Sequence, residues 1–495
     1  MTLLNTSTPP RAAWHVLTRD GAWLPVDPTS GPDLGLGAGP GLASLVEQEF
    51  GSRRVAPEHP RVRQLQAVFG FEFEPLAEPG HMRYQAPAAD MMRRAVGYAE
   101  SRARAVAADL GMPYDRIDGV TVLDGTSAAL AEYLSLTGSD EELYGGDPYL
   151  LAPPRAGLLL RQTACLQKYA MAREWDPART PLPRCVFEIS DSYRGEPDDE
   201  LRLGFRLRRF RLPEAHLYGR SIAESVRHAE RLHARYLDDL AQVADEVVLL
   251  VTVTAGFAER HRGFLTGLAA GSSSPALVKV CPPGTLCQDG VEIDVEYKVV
   301  DATGFARELS SFQIDELITR AFGIGRPDAP VTTIHTPPVG SIERLVFAAL
   351  DRVARIEAGG GRARLPLWLS PFGIRLAWAP GDAPAAATVA ALGRQLAGHG
   401  LPIDVDDRLV PLARKIADAD AELVPFLVLL DGRGQLDRVR VRTYETERIA
   451  EIAPAALLDG LPAHDVDPNV DPSVPESPRL LSARPVLTGG KGVRA

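Results

Sequence analysis

Lysine is almost missing from this chain. Five lysines (Lys168, Lys279, Lys298, Lys415 and Lys491) stand among 54 basic side chains, and the rest are arginine. No G-x-x-x-x-G-K-S/T sequence occurs, and Gly489-Gly490-Lys491-Gly492 lacks that context. A nucleoside triphosphate bound here would therefore have its phosphates held by arginine rather than by a P-loop lysine. Cysteine is scarce as well: Cys165, Cys185, Cys281 and Cys287 in 495 residues exclude a disulfide-stapled scaffold and fit a reducing compartment. There is no excess of positive charge. The 54 basic and 65 acidic residues leave a net −11, so nucleic acid would have to be met by local basic patches rather than by a global field. No run of about eighteen apolar residues is present to cross a membrane. The opening MTLLNTSTPPRAAWHVL carries no signal-peptide apolar core, so a cytoplasmic location is expected.

What is present is ordinary globular composition, 45% hydrophobic and 24% charged, in a length that suits two or three domains. Residues 1–56 read as an N-terminal extension, with the Gly/Pro-rich GPDLGLGAGPG (Gly31–Gly41) a connector, because no strand precedes it. Helical periodicity runs from Ala88 to Leu110. It is strongest from Ser221 to Val243, where Ile222, Val226, Ala229, Leu232, Tyr236, Leu240 and Val243 recur three or four apart. His228 and His233 on that helix read as members of its solvated face. Arg184–Ser190 and Val247–Val253 read as strands, and Val291–Val300 with Glu308–Ile314 flank Asp301-Ala302-Thr303-Gly304 as an antiparallel hairpin. Ile342–Ile356 is a further helix, and Gly359-Gly360-Gly361 marks a boundary. Beyond it, strands at Ile374–Trp378, Ile403–Val405, Leu423–Leu430 and Arg438–Arg442 alternate with helices near 387–398 and 410–419, the pattern of a separate α/β domain. A Pro-rich tail follows, residues 464–495.

Three short segments carry chemistry: Tyr193-Arg194-Gly195-Glu196 after a strand, Gly204–Phe210 leading into Pro213-Glu214-Ala215-His216, and Thr333-Ile334-His335 followed by Gly340–Arg344. Alone, each has a structural reading, since surface arginines pair with carboxylates and buried histidines find partners. Together they resemble the catalytic core of class II aminoacyl-tRNA synthetases, and are most similar to threonyl-tRNA synthetase of the archaeal type. FEISDSYRGE (Phe187–Glu196) resembles the family's second signature motif and HTPPVGSIER (His335–Arg344) its third. LPLWLSP (Leu365–Pro371) resembles the entry to its anticodon-binding domain, IDVDDR (Ile403–Arg408) and KIADADAELVPF (Lys415–Phe426) continue that match, and LLSARP (Leu480–Pro485) resembles the family's closing segment. The likeness spans residues 57–485.

The resemblance implies an α+β fold, with an antiparallel-sheet catalytic domain over 57–358 and a mixed α/β anticodon-binding domain over 365–463. It implies ATP-dependent activation of threonine and transfer to tRNA(Thr), by a homodimer. Cys165, His216 and His335 fall where the family keeps three zinc ligands. Three protein ligands leave a coordination position open for substrate, and a metal that demands an oxygen ligand rejects valine. The implied ATP contacts are Arg194 on the α-phosphate, Arg206 on a second phosphate, Phe210 and Arg344 on the adenine faces, with Glu196, and with Glu308 as a magnesium ligand. Glu214 and Gln313 fall at substrate-contacting positions, although Glu214 stands where the family has aspartate and Leu166 where it has proline. No counterpart of the family's amino-terminal editing domain is found, which implies that a separate trans-editing protein clears mischarged serine. Cys185, Cys281 and Cys287 have no counterpart and read as ordinary core or loop thiols. Arg438, Arg440 and Arg442 alternate along one strand and read as a tRNA-facing stripe. Two other readings fit the same motifs: a paralogue that transfers the activated amino acid to a small molecule or carrier protein, and a non-catalytic tRNA-binding regulator.

Overall fold

The computed structural model describes residues 12–28, 39–51, 58–137, 157–283, 285, 287, 290–326, 328–431, 437–459, 461 and 479–485. Most of the Gly31–Gly41 connector and of the Pro-rich tail lies outside them. The chain divides into two compact units, residues 1–57, 102–200 and 208–341 in the first and 58–101, 201–207 and 342–495 in the second.

The first unit is built on a ten-stranded sheet. Its strands are β1 (Ala13–Leu17), β2 (Trp23–Val26), β3 (Tyr114–Arg116), β4 (Arg184–Tyr193), β5 (Arg209–Gly219), β6 (Val247–Thr254), β7 (Ala276–Cys281), β8 (Ile293–Val300), β9 (Ala306–Asp315) and β10 (Thr332–Thr336), in spatial order β2-β1-β7-β6-β8-β9-β10-β5-β4-β3. All neighbours are antiparallel except β6 with β7 and β3 with β4. The two N-terminal strands continue the sheet, and Val16, Leu42, Leu45 and Val46 are buried in its core. Val247–Thr254 is almost wholly buried and Val/Leu-rich, a central strand paired along both edges by β7 and β8.

The β8–β9 hairpin turns on Asp301, whose Oδ1 accepts from the Thr303 and Phe305 amides at 2.8 and 3.0 Å, while Gly304 supplies the left-handed backbone (φ +74°). Gly340, after β10, is stricter: it is left-handed (φ +71°), and a Cβ there would sit 1.6 Å from the Leu309 carbonyl oxygen.

Helix Ile222–Leu240 packs its apolar stripe on this sheet, and Ser221 caps it by accepting from the Glu224 amide at 3.2 Å. His233 belongs to that stripe and not to the solvated face. It falls four residues after Ala229 and three before Tyr236, is 5% exposed, and its Nδ1 shares a hydrogen bond of 2.8 Å with Tyr297. Burial pushes its pKa down from 6.5 to about 4. Between those values the unfolded chain binds the proton and the folded one does not, so stability falls as pH falls through this window, by about 3 kcal/mol. In denaturant titrations, His233→Gln should flatten the difference between pH 7 and pH 4 relative to the parent protein. An unchanged slope would contradict the assignment.

The second unit holds a mixed sheet of β11 (Ile374–Trp378), β12 (Ile403–Asp406), β13 (Phe426–Leu430), β14 (Val439–Thr443), β15 (Ile449–Ile452) and β16 (Arg479–Leu480), ordered β15-β14-β13-β11-β12-β16. β11 pairs in parallel with β12 and β13, and β12 with β16, while β14 and β15 are antiparallel additions. Helix Ala386–Ala397 closes a core of Leu376, Leu392, Leu396, Val405 and Val428. Tyr98 stacks on Trp368 with ring centroids 3.8 Å apart. The fold is thus α+β, a mainly antiparallel sheet in one unit and an α/β sheet in the other. Among the described residues, no helix is long and apolar enough to cross a membrane.

Candidate metal and substrate site

Sheet register assembles the site. His335 of β10 stands opposite His216 of β5, Gln313 of β9 stands opposite His335, and Glu188 of β4 stands opposite Glu214 of β5. Because side chains alternate along a strand, Phe210, Glu214 and His216 share one face of β5. Cys165, the first residue of helix Cys165–Arg173, meets that face. Its Sγ lies 3.0 Å from Glu214 Oε1 and 3.6 Å from His335 Nδ1, and Glu214 Oε1 lies 3.4 Å from His216 Nδ1. Ligand atoms of Cys165, Glu214, His216 and His335 all lie within 4.8 Å of one another.

The electrostatics favour a cation. Burial, with Lys168 nearby, pushes His216 well below its usual pKa and His335 down to about 3, so both imidazoles are neutral and present lone pairs. Desolvation, reinforced by Glu214, holds the Cys165 thiol well above its usual value, as befits a sulfur that ionises only against a metal. His216 is fully buried, yet neither of its ring nitrogens makes a hydrogen bond. The Tyr169 hydroxyl shares a hydrogen bond of 2.5 Å with His335 Nε2, which orients the ring and leaves Nδ1 towards Cys165.

Sequence reasoning missed the layer beneath. Arg161 pairs in bidentate fashion with Glu188, one of whose oxygens also accepts from the Gly119 amide at 2.7 Å. Lys168, its side chain fully buried, lies 3.7 Å from both Glu188 Oε2 and Glu214 Oε1. One signal was available: Lys168 is one of five lysines in an arginine-rich chain, three residues beyond Cys165.

Of the other sequence-predicted residues, Arg194 places its guanidinium 5.2 Å from the Phe210 ring, and its amide donates to the Arg208 carbonyl at 2.9 Å. The Glu196 carbonyl accepts from Arg208 Nε at 2.9 Å. Gln313 Nε2 donates to Asp294 at 3.2 Å. Glu308 lies towards the other end of β9, opposite Lys298, beside a Glu296–Lys298 ion pair of 2.6 Å. Arg206 and Arg344 belong to the second unit. There the Arg206 amide donates to the Arg202 carbonyl at 3.0 Å, and Arg344 Nε donates to the Phe205 carbonyl at 3.2 Å with its guanidinium 4.7 Å from the Phe205 ring.

On β14, Arg440 is exposed and Arg442 is buried, 2.7 Å from Asp420 and 3.2 Å from Glu447, while Arg438, just before the strand, pairs with Glu451 at 3.4 Å. Cys281 and Cys287 face each other, Sγ to Sγ 3.5 Å, where their hydrogen bond lowers the Cys281 pKa to about 7 and raises that of Cys287.

The antiparallel sheet and its appended α/β unit define a class II aminoacyl-tRNA synthetase fold. A threonyl-tRNA synthetase RNA-binding domain from Cryptosporidium parvum superposes with a TM-score of 0.64 at 14% identity, over 81% of this chain and 97% of that one. A putative threonyl-tRNA synthetase from Aeropyrum pernix gives 0.60 at 14%, over 85% and 99%. Giardia lamblia prolyl-tRNA synthetase, in complex with prolyl-adenylate, gives 0.57 at 15%, over 79% and 72%. In sequence, the chain is 32% identical over 454 residues to threonine–tRNA ligase of Thermofilum pendens, covering 90% of this chain and 71% of that protein. It is 34% identical over 404 residues to threonine–tRNA ligase of Pyrobaculum aerophilum, covering 80% and 64%. The chain belongs to the threonine–tRNA ligase family, and spans about two thirds of the length of these relatives. No protein-family model matches it.

Proposed function

We propose that this protein is a zinc-dependent threonine–tRNA ligase: it activates threonine with ATP and transfers it to tRNA(Thr). The observation that carries the reading is the Cys165–His216–His335 cluster, with the two unpartnered nitrogens of buried His216, in a chain of this family. A thiol and two neutral imidazoles are the donor set that zinc favours, and a wholly buried ring without hydrogen bonds is costly unless something else takes its lone pair. Bound there, zinc supplies a Lewis-acid contact for the threonine amino and hydroxyl groups.

The chain's own groups do the rest by positioning and charge. A threonine carboxylate oxygen attacks the α-phosphorus of ATP, the bond to the β-phosphate oxygen breaks, and pyrophosphate leaves. Arg194, its guanidinium against the Phe210 ring, holds the α-phosphate in this reading, and Phe210 stacks on adenine. The family resemblance assigns Arg206 to a second phosphate and Arg344 to adenine, and Glu196 and Glu308 to polar and magnesium-binding roles. Gln313, beside His335 in the sheet, contacts the substrate. No protein nucleophile is needed, so the rate comes from orientation and stabilisation of developing charge. A terminal ribose hydroxyl of tRNA then attacks the carbonyl carbon and AMP leaves. In this reading the enzyme is a cytoplasmic homodimer, and in gel filtration it should elute at about twice the 53.4 kDa chain mass.

The α/β domain is proposed as the anticodon reader, and β14 localises the test. Arg442 is committed to Asp420 and Glu447, so reversing its charge would damage the fold. Exposed Arg440, with Arg438, is the informative pair. Arg438→Glu/Arg440→Glu should lower tRNA charging about tenfold and reduce the salt slope, leaving threonine-dependent ATP–pyrophosphate exchange intact. Unchanged charging would remove β14 from the tRNA interface. Exchange without charging of any tRNA by the parent protein would favour transfer to a small molecule or carrier instead.

A further inference from the structure

Four donor atoms, not three, converge on the sheet face. In a tetrahedral zinc site with bonds of about 2.0–2.3 Å, neighbouring ligand atoms stand about 3.3–3.7 Å apart. Glu214 Oε1 is 3.4 Å from His216 Nδ1, and Cys165 Sγ is 3.6 Å from His335 Nδ1, so both separations are already tetrahedral edges. The Cys165 Sγ to Glu214 Oε1 edge is 3.0 Å, shortened by the thiol donating to the carboxylate. Glu214 Oε1 thus stands at ligand spacing from His216, against Cys165, and within 4.8 Å of every other donor atom.

A second observation lies behind it. Both oxygens of Glu188 are taken by Arg161, whereas the Lys168 ammonium, fully buried, makes no hydrogen bond and stands 3.7 Å from Glu214 Oε1. An ammonium held there without a short contact has a carboxylate within reach on the metal side.

We infer that Glu214 is the metal's fourth ligand in the substrate-free protein and that the entering amino acid takes its place while the carboxylate turns onto Lys168. The inference rests on the proposed zinc site and goes beyond it. It makes selectivity a competition. A substrate offering amine and hydroxyl together displaces the carboxylate, whereas one offering the amine alone leaves it in place.

The test uses full-length protein stripped of metal and loaded with Co2+, whose absorption reports ligands. A sulfur-to-cobalt charge-transfer band reports Cys165, and therefore the site itself. With Glu214 bound, azide should not alter the parent spectrum, threonine should alter it and valine should not. In Glu214→Gln, Co2+ affinity should fall ten- to a hundredfold and azide should now perturb the spectrum. Glu214→Asp, one methylene short, should behave like Glu214→Gln and guards against a glutamine-specific folding defect. In Lys168→Met, the threonine concentration giving half the spectral change should rise at least tenfold. If the sulfur band is present but azide acts equally on parent and Glu214→Gln, Glu214 is not a ligand and the inference fails while the site stands. An unshifted threonine dependence in Lys168→Met overturns the role of the lysine. If no sulfur band forms, the zinc site fails and the inference with it.

Discussion

His335→Ala should lower bound zinc from about one per chain to near none and reduce threonine-dependent ATP–pyrophosphate exchange by about three orders of magnitude. The side chain contributes little to the fold that its neighbours cannot replace. β10 is held by backbone pairing of Thr332–Thr336 with β5, and Tyr169 remains packed against Phe322 with ring centroids 5.5 Å apart. What is lost is one of two neutral imidazoles facing the cluster, and with it the means of distinguishing a hydroxyl-bearing substrate from its apolar isostere. Far-UV circular dichroism should be unchanged. Metal analysis together with exchange kinetics checks the prediction. A variant that binds no metal yet activates threonine at the parent rate would show that the cluster is not the selective element.

Arg194→Ala should depress exchange by a factor of about 10²–10³, the usual loss when one preorganised donor to a developing charge is removed. Its position is set from two sides. Its amide is fixed by the Arg208 carbonyl at 2.9 Å, and its guanidinium lies 5.2 Å from the Phe210 ring. The loss should fall on kcat more than on the KM for threonine, because the cluster at Cys165 is untouched. Arg194→Lys should recover little, since a point charge would replace a planar fork able to stack and to bind two phosphate oxygens at once. Equal activity of Arg194→Ala and the parent would place ATP elsewhere.

The regular elements were legible wherever apolar spacing stated them. The helix Ile222–Leu240, the strand Ile374–Trp378 and the β8–β9 hairpin lie where periodicity and turn residues put them, within two or three residues. The two N-terminal strands were not legible. Ala13–Leu17 is a short segment that pairs with β2 nearby but is joined to the sheet through β7, a partner more than 250 residues away. His233 was misread because a histidine in a helix looks polar by composition, although its spacing from Ala229 and Tyr236 put it on the buried stripe.

At the site, Cys165, His216 and His335 were visible only through resemblance. Spacings of 51 and 119 residues contain no local pattern, and register across β5 and β10 alone makes neighbours of the two histidines. Glu214 stood out in the sequence as a glutamate where the family has aspartate, but its reach to Cys165 and Lys168 is a fact of the sheet face, invisible in one dimension. The charges below it come from a loop (Arg161), a helix (Lys168) and a strand (Glu188), and carry no motif.

The most direct test of the central claim is ATP–pyrophosphate exchange by the zinc-loaded protein, measured against each of the twenty amino acids. The account predicts strong exchange with threonine, weaker exchange with serine, which offers the same two donors, and no detectable exchange with valine. Exchange with valine as strong as with threonine, or with an amino acid lacking a hydroxyl in preference to both, would contradict it.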